Sequence, residues 1–163
     1  MERIALFEKV SEAQYNKDAS AHLNDGDYSC IKLPVRATKG SAGYDFFLPM
    51  DLDLKAGESV VVATGIRVKI RDGWFLATFP KSGLGFKYRL RLDNTVGIID
   101  SDYYYSGNEG HILTKLTNCG SCDIHLPKGK SFTQGIFIPF GITFDDDAQG
   151  IRDGGFGSTD LKK

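Results

Sequence analysis

Five short polar segments interrupt apolar stretches of the sequence, and they hold most of the residues that could do chemistry. In chain order they are Ser41–Asp45, Pro80–Gly85, Asn94–Tyr103, Gly129–Gly135 and Arg152–Thr159. The second combines a cation, a hydroxyl and two glycines, a composition that can aim backbone N–H groups at a phosphate. In the third, a strand-like run leads into a turn with two acids, Asp100 and Asp102. Taken singly, each segment is also compatible with an ordinary hairpin turn or chain end.

The order of the five segments resembles the five motifs of the trimeric dUTPase family. S-A-G-Y-D is similar to the first motif, P-K-S-G-L-G to the second, N-T-V-G-I-I-D-S-D-Y to the third, K-G-K-S-F-T-Q-G to the fourth and G-G-F-G-S-T to the fifth. The resemblance runs from about Ile31 to the C-terminus and leaves Ser11–Ser29 as an apparent insertion. It implies a jelly-roll-like protomer and a homotrimer whose three active sites each combine motifs from three chains.

The resemblance also implies an activity, the hydrolysis of dUTP to dUMP and pyrophosphate. This reaction keeps uracil out of DNA and supplies dUMP for dTMP synthesis. Asp100 would be the general base that orients water toward the α-phosphorus. Asp45 would hold a water on Mg²⁺, the implied cofactor, which the triphosphate itself chelates. Tyr103 would lie under the deoxyribose, and Phe156 would close over the base. The other implied substrate-binding residues are Lys81, Ser82, Gly83, Asn94, Gly97, Ile99, Gln134 and Arg152.

Base selection would follow from hydrogen-bond geometry along the third motif. Uracil has a donor at N3 between two acceptors, whereas cytosine inverts N3 and the 4-position. A strand edge near Gly97–Ile99 that offers C=O and N–H groups in a set order would pair with uracil and leave cytosine mismatched. Sites built on such bonds reject the mismatched analogue by roughly 10⁴–10⁵. The methyl group of thymine would be refused sterically at C5.

Several positions depart from the family pattern. Lys81 replaces the usual arginine and keeps its charge without the bidentate fork. Ser131 stands where the fourth motif has arginine, so Lys130 is a candidate to replace that cation. Arg152 is one residue closer to the glycine pair than in the family, and Asp160 replaces a glycine. Residues 104–111 also lengthen the turn after the third motif. These departures concern phosphate binding rather than the fold.

The elements that must position these residues are short strands. Apolar runs rich in β-branched and aromatic residues are separated by glycine and aspartate turns, which predicts an all-β sandwich or barrel. Ten strands are predicted, at Ile4–Phe7, Ile31–Val35, Tyr44–Leu48, Ser59–Thr64, Arg67–Ile70, Trp74–Phe79, Arg89–Leu92, Val96–Ile99, Ile112–Leu116 and Thr133–Phe140. Only Val10–Ala19 is weakly helical.

The chain is predicted to form one domain over residues 1–147, followed by a glycine-rich tail at residues 148–163. The insertion at residues 11–29 is polar and without periodicity, which indicates a loop or loose helix over the surface. The tail has too few apolar groups to order itself, and we expect it to close over bound substrate.

The composition excludes few functions but limits the kinds of binding partner that are expected. The 20 lysines and arginines nearly balance 21 aspartates and glutamates, so net charge indicates no direct nucleic-acid binding. No apolar run approaches the roughly 20 residues of a membrane span, so no membrane partner is expected. Three cysteines are too few for a disulfide framework, which favours reduced thiols and a cytoplasmic location. The expected partners are therefore dUTP and two further copies of the chain.

Some alternatives remain at this stage. Cys119, Cys122 and His125 could ligate a metal, but two free thiols in a hairpin turn are favoured over zinc. His22 and His111 are interpreted as surface or hairpin residues, and Glu109 as a solvated loop acid. For the whole chain, the alternatives are a dCTP deaminase or bifunctional enzyme on the same fold, and a non-catalytic phage-type regulator.

Overall fold

The computed structural model of the protein describes residues 2–150 and 152, and twelve β-strands dominate that part of the chain. The strands are β1 Ala5–Lys9, β2 Val35–Arg36, β3 Tyr44–Phe47, β4 Leu52–Leu54, β5 Ser59–Ala63, β6 Ile66–Ile70, β7 Trp74–Pro80, β8 Leu90–Leu92, β9 Gly97–Ile99, β10 Leu113–Asn118, β11 Ile124–Leu126 and β12 Ser131–Pro139. The helices are α1 Glu12–Ala21 and α2 Ser82–Tyr88, with 3₁₀ turns at Tyr28–Cys30 and Ser101–Tyr105. The expected all-β class is confirmed.

The largest sheet has five strands in the order β2-β3-β12-β7-β9, and it holds four of the five motifs or their flanks. The central strand β12 pairs antiparallel with both β3 and β7. Its buried residues are Phe132, Thr133 and Gly135, and the irregularity between Ser131 and Thr133 interrupts the two-residue alternation of a strand. At the outer edge, β9 pairs with β7, where Gly97 lies opposite Thr78.

Three smaller sheets complete the two-layered packing around the core. They are β1-β6, β5-β10-β8 and β11-β4, and every pairing is antiparallel. Leu76 from the large sheet and Val62 and Leu116 from the three-stranded sheet are fully buried in the shared core. Gly73 and Gly129 adopt φ of 79°, which suits glycine at the expected turns between strands.

The prediction for residues 11–29 as a surface loop or loose helix is right about the helix and about most exposed positions, but it misses the buried face. Glu12–Ala21 forms a regular helix that Ser11 caps by accepting a hydrogen bond from the N–H of Gln14. Its inner face puts Tyr15 and Ala19 into the core at 0 and 4% exposure. The helix begins and ends two residues later than the weakly helical Val10–Ala19. The insertion is therefore an integral part of the packed domain.

Other elements also differ from the expectation. The segment Pro80–Gly85, predicted as a turn, leads into helix α2. The strand predicted at Ile31–Val35 is reduced to Val35–Arg36, with Ile31 buried outside any strand. Strands β4 and β11 were not predicted, and they pair with each other. The remaining nine predicted strands are confirmed, with ends shifted by up to two residues.

A search of the described residues for a helix with the length and hydropathy of a membrane span found none.

Candidate active site

A cleft of about 500 Å³ opens beside the third motif. Strand β9 and the segment that connects β8 to it, including Asn94, Gly97 and Ile99, form one wall, and Tyr103 and Arg152 contribute to the lining. The start of β10 supplies the other wall through residues 112–115. This volume lies within the range of pockets that take a small molecule such as a nucleotide. Four of the predicted substrate-binding residues besides Arg152 thus line a single cleft.

Strand β9 presents an open edge on the cleft side. Among the described strands it pairs only with β7, so alternate N–H and C=O groups on its outer edge have no strand partner. The absence of a side chain at Gly97 is required, because a Cβ there would lie 2.3 Å from Oγ1 of Thr78. The edge strand thus leaves backbone C=O and N–H groups without a strand partner beside the cleft.

Asp100 leaves β9 and precedes the 3₁₀ turn Ser101–Tyr105 in extended conformation. Its carboxylate makes no capping bond to that turn, which leaves it available for other contacts. Arg152 contacts this carboxylate, because its Nη2 donates to Asp100, while its Nε donates to Asp102 at 2.9 Å. The guanidinium is largely enclosed at 20% exposure, while the two carboxylates are about half exposed.

The contact of Arg152 was not expected in this form. The resemblance assigns the third and fifth motifs of one site to different chains, whereas here Arg152 reaches Asp100 of its own chain. The contact still brings the predicted phosphate-binding cation next to the predicted general base.

Tyr103 is 7% exposed and lines the cleft from within the 3₁₀ turn Ser101–Tyr105. Its hydroxyl donates to the backbone carbonyl of His111 at 2.9 Å and accepts from Nδ2 of Asn108 at 2.9 Å. Burial raises the pKa of the phenol, so the hydroxyl keeps its proton and stays a donor at neutral pH.

The first, second and fourth motifs form a separate cluster at one end of the large sheet. Asp45 on β3 lies opposite Gln134 on β12, and Nζ of Lys81 contacts Oδ1 of Asp45 at 2.7 Å. Gly43 is needed for close packing, because a Cβ would lie 2.6 Å from the amide oxygen of Gln134. Side-chain exposures of 14 and 27% for Asp45 and Lys81 keep this ion pair partly shielded from water.

Ser82 and Gly83 open helix α2 and are exposed. The first N–H groups of a helix have no intrahelical acceptor, so this end can still offer N–H donors to an anion. Lys130 is exposed just before β12, and Ser131 begins that strand with a bulge before Thr133. The structure places Lys130 near the same end of the sheet as Lys81, whose N–H donates to the carbonyl of Phe132.

Asp45 is well separated from strand β9 within one chain, whereas Lys81 follows β7, which pairs directly with β9. Strands β3 and β9 have β12 and β7 between them, and three strand spacings amount to about 14 Å. The structure therefore brings the predicted site residues together as two groups, one around the cleft and one around Asp45. Phe156 and the tail beyond it, which we expect to close the site, lie outside the described residues.

Two residues were misjudged from their types. His111 is fully buried, not a surface residue, and its Nδ1 lies 2.6 Å from Asp18. Glu109, interpreted as a solvated acid, accepts from both the N–H and the hydroxyl of Ser11. Those two bonds lower the pKa of the Glu109 carboxyl. Both contacts join segments far apart in the sequence, and no local pattern signals them.

The two thiols of the Cys119–Cys122 turn are exposed and free. His125, the third candidate ligand, pairs through Nδ1 with Asp53 at 2.7 Å, and this bond raises the pKa of the imidazole. Sequence reasoning also missed Thr78, whose hydroxyl packs on Gly97, and Lys115, which lines the cleft.

Comparison with known proteins agrees with this geometry. The dUTPase family model matches residues 29–160. A deoxyuridine 5'-triphosphate nucleotidohydrolase of Lactococcus lactis is 36% identical over 132 residues, which cover 79% of this chain and 88% of the relative. The crystal structure of a dUTPase from Streptococcus mutans superposes with a TM-score of 0.67 at 33% identity, covering 84% of this chain and 97% of the other.

A dUTPase of Staphylococcus bacteriophage 80alpha shares the fold as well. Its TM-score is 0.66 at 18% identity, with coverage of 97% of this chain and 99% of the phage protein. At that identity the likeness concerns the fold alone. The family match covers most of the chain and includes all five motif segments. This chain belongs to the dUTPase family.

Proposed function

We propose that this protein hydrolyses dUTP to dUMP and pyrophosphate by attack of water on the α-phosphorus. The observation that carries the proposal is the cleft beside β9, which is lined by an open strand edge, a buried tyrosine and Arg152. The carboxylate of Asp100 follows that strand edge in the chain, makes no capping bond and pairs with Arg152. In the cell this activity would keep uracil out of DNA and supply dUMP for dTMP synthesis. The reduced thiols favour the cytoplasm as its location.

Uracil selection rests on the edge of β9. A C=O and an N–H in fixed order there would pair with N3–H and O4 of uracil, and cytosine would set donor against donor. The contact between Thr78 and Gly97 keeps this edge from shifting, since no room remains between the two residues. A mismatched base would leave buried polar groups unpaired, which is the most discriminating kind of selection.

Asp100 is proposed as the general base. Its carboxylate stands at the end of the base-reading strand, does not cap the following turn, and is about half exposed, so water can reach it. Arg152 occupies it in this structure. A triphosphate would compete for that guanidinium, and transfer of Arg152 to a phosphate oxygen would release Asp100 to orient water.

Lys81, Ser82, Gly83 and Gln134 are proposed to hold the phosphate chain, with Asp45 beside them. The described residues gather no three acidic, histidine or cysteine side chains that could hold a metal unaided. A single carboxylate next to a lysine fits Mg²⁺ that is chelated by the triphosphate and reached by Asp45 through water. Bound in that way, Mg²⁺ would neutralise charge on the phosphate oxygens.

A homotrimer with shared sites is proposed because one chain does not bring the two groups of residues together. The separation of about 14 Å across the sheet leaves room for a second chain to supply one of them. The segment after β12 also exposes three large apolar side chains at alternate positions, Phe140, Ile142 and Phe144, at 50, 75 and 114%. Exposed apolar groups in succession are typical of an interface.

The test is release of pyrophosphate from dUTP, measured beside dCTP, for the wild-type protein and two variants. We expect Asp100→Asn to fold, to bind dUTP and to lower kcat by about two orders of magnitude or more, as loss of a general base does. Asp72→Asn is the matched control, because Asp72 contacts Ser101 of the same turn but, unlike Asp100, is not paired with Arg152, which lines the cleft. Ammonia release from dCTP would instead indicate a deaminase. Tight binding without hydrolysis would indicate a regulatory module.

A further inference from the structure

Two segments that depart from the dUTPase pattern are joined to each other. They are the insertion at residues 11–29 and the extension at residues 104–111. The N–H and the hydroxyl of Ser11 donate to the Glu109 carboxylate at 2.8 and 2.7 Å. Further along α1, a carboxylate oxygen of Asp18 lies 2.6 Å from Nδ1 of His111. Helix α1 is thereby fastened to the loop that follows the third motif.

The second contact sets the tautomer of His111. The N–H of Gly65 donates to Nε2 of the ring at 2.8 Å, so Nε2 carries no proton. Nδ1 then carries the proton and donates it to Asp18. The ring is fully buried and both its nitrogens are engaged, so it cannot exchange a proton with a nucleotide in the cleft. Any contribution of His111 to the reaction must act through the residues that it holds in place.

The residue that His111 holds is Tyr103. The backbone carbonyl of His111 accepts a hydrogen bond from the Tyr103 hydroxyl at 2.9 Å. Nδ2 of Asn108 donates to both groups, at 2.9 Å to the hydroxyl and at 3.2 Å to the carbonyl. The intervening loop has no regular structure and turns back through positive φ at Glu109 and Gly110, 58° and 71°. The His111 carbonyl is therefore held from two sides, by the anchored ring and by the N–H of Ile112 in the same peptide unit, which donates to the carbonyl of Ile66 on β6 at 2.9 Å.

We propose that Asp18 and His111 are positioning residues for Tyr103, and that they determine selectivity for deoxyribose over ribose at the nucleotide site. This inference rests on the proposed function, in which Tyr103 lies under the sugar and a 2′-hydroxyl would meet its ring. A ring held from behind by the His111 carbonyl refuses the extra hydroxyl. A ring free to move by a few tenths of an ångström admits it.

The test compares kcat and KM for dUTP and for UTP in the wild-type protein and in variants at Asp18, Asn24 and Tyr103. Asp18→Ala leaves the Nδ1–H of His111 without an acceptor, and Asp18→Asn keeps an oxygen acceptor in the same place. We expect Asp18→Ala to lower the dUTP-over-UTP ratio of kcat/KM by about three- to tenfold, the effect of removing one hydrogen bond. The change in the ratio should arise mainly from KM, and kcat for dUTP should stay within about threefold of the wild-type value. Asp18→Asn should restore the wild-type ratio.

A control separates positioning from general loss of stability. Asn24 also fastens the insertion, because its amide bonds to the backbone of Val61 and Ala63 on β5, away from His111. Asn24→Ala should lower the melting temperature and leave the selectivity ratio unchanged. If Asn24→Ala and Asp18→Ala change the ratio equally, the positioning role is overturned.

A second variant covers the case in which Asp18→Ala does not fold. Tyr103→Phe keeps the ring and removes the hydroxyl that the His111 carbonyl holds, so the same fall in the ratio is expected. An unchanged ratio in Tyr103→Phe would overturn the inference while leaving dUTP hydrolysis itself in place. A wild-type protein that releases no pyrophosphate from dUTP would instead overturn the proposed function, and this inference with it.

Discussion

Replacing Arg152 by alanine should separate stability from catalysis. In this structure Arg152 bridges the carboxylates of Asp100 and Asp102, which are 43 and 55% exposed. Exposed ion pairs contribute about 0.2–1 kcal/mol each, so removing both costs about 1 kcal/mol of unfolding free energy. For a chain of 163 residues that corresponds to a fall of about 2–4 °C in Tm.

The effect on catalysis should be larger, because bound triphosphate offers Arg152 a more highly charged partner. A hydrogen bond to a charged group contributes about 1.5–3 kcal/mol, so removing each hydrogen bond to phosphate should lower kcat/KM by about 10- to 150-fold. Ser131 leaves the fourth motif without its arginine, which increases the dependence on Arg152. Arg152→Ala should therefore approach the effect of deleting all residues after Asp147. Arg152→Lys keeps the positive charge without the bidentate guanidinium, so its kcat/KM should lie between those of the wild type and Arg152→Ala.

The assay pairs thermal unfolding with steady-state hydrolysis of dUTP. Arg71→Ala is the matched control, because Arg71 pairs with exposed Glu2 and does not line the cleft. It should lower Tm by a similar amount and leave kcat/KM unchanged. A near wild-type kcat/KM in Arg152→Ala would refute the reasoning, and the phosphate charge would then have to be carried by Lys130 or Lys81. A fall in Tm well beyond the range given above would show that the bridge is mainly structural.

Three further predictions follow from the same structure. Light scattering at micromolar concentration should give three times the chain mass, and an active monomer would contradict shared sites. Tyr15→Phe should stabilise the protein by about 1–3 kcal/mol in urea unfolding, because the Tyr15 hydroxyl is buried with no hydrogen-bond partner among the described residues. Burial also raises the pKa of Tyr15 to about 12. A clear decrease in stability would mean that the hydroxyl is bonded. Burial lowers the pKa of His111 below 6.5, an effect that outweighs nearby Asp18 and Glu109 and is reinforced by His22. The stability that His111 confers is therefore complete above about pH 6.5 and is lost as the pH falls through the lower pKa of His111 in the folded protein. Exposed His125, whose pKa is raised by Asp53, acts with the opposite sign. Urea unfolding between about pH 7.5 and 5.5 should therefore show a fall in wild-type stability that His111→Gln reduces and His125→Gln does not.

Most strands could be predicted because they are long enough to show their period. Strand β7, Trp74–Pro80, and β12, Ser131–Pro139, carry continuous runs of β-branched and aromatic residues bounded by turns. Strands β4 and β11 have three residues each and are stabilised by pairing with each other, although they lie far apart in the sequence. Strands β8 and β9 are equally short and were predicted, so length alone does not explain the omission, and only the folded chain shows this pair.

Helix α2 was not predicted and helix α1 was predicted only weakly, for two different reasons. Helix α2 contains Gly83 and Gly85, which have low helix propensity and suggest a turn. Helix α1 buries only a narrow stripe around Tyr15 and Ala19, spaced four residues apart, and its other positions are mostly polar. One such pair in ten residues is too weak a period to separate a packed helix from a surface loop.

The candidate site divides along the same line between local and distant contacts. The motif residues could be named from the sequence because each motif is contiguous, and the cleft does bring Gly97, Ile99 and Tyr103 together. The pairing of Asp18 with His111 joins positions 93 residues apart, and neither lies in a motif. A buried histidine needs a partner for each ring nitrogen, and here one comes from the insertion and the other from the Gly65 backbone. Because the partners come from separate segments, deleting the insertion would leave a buried donor without an acceptor next to the loop that holds Tyr103. The insertion should therefore be harder to remove from this protein than its surface-like sequence suggests.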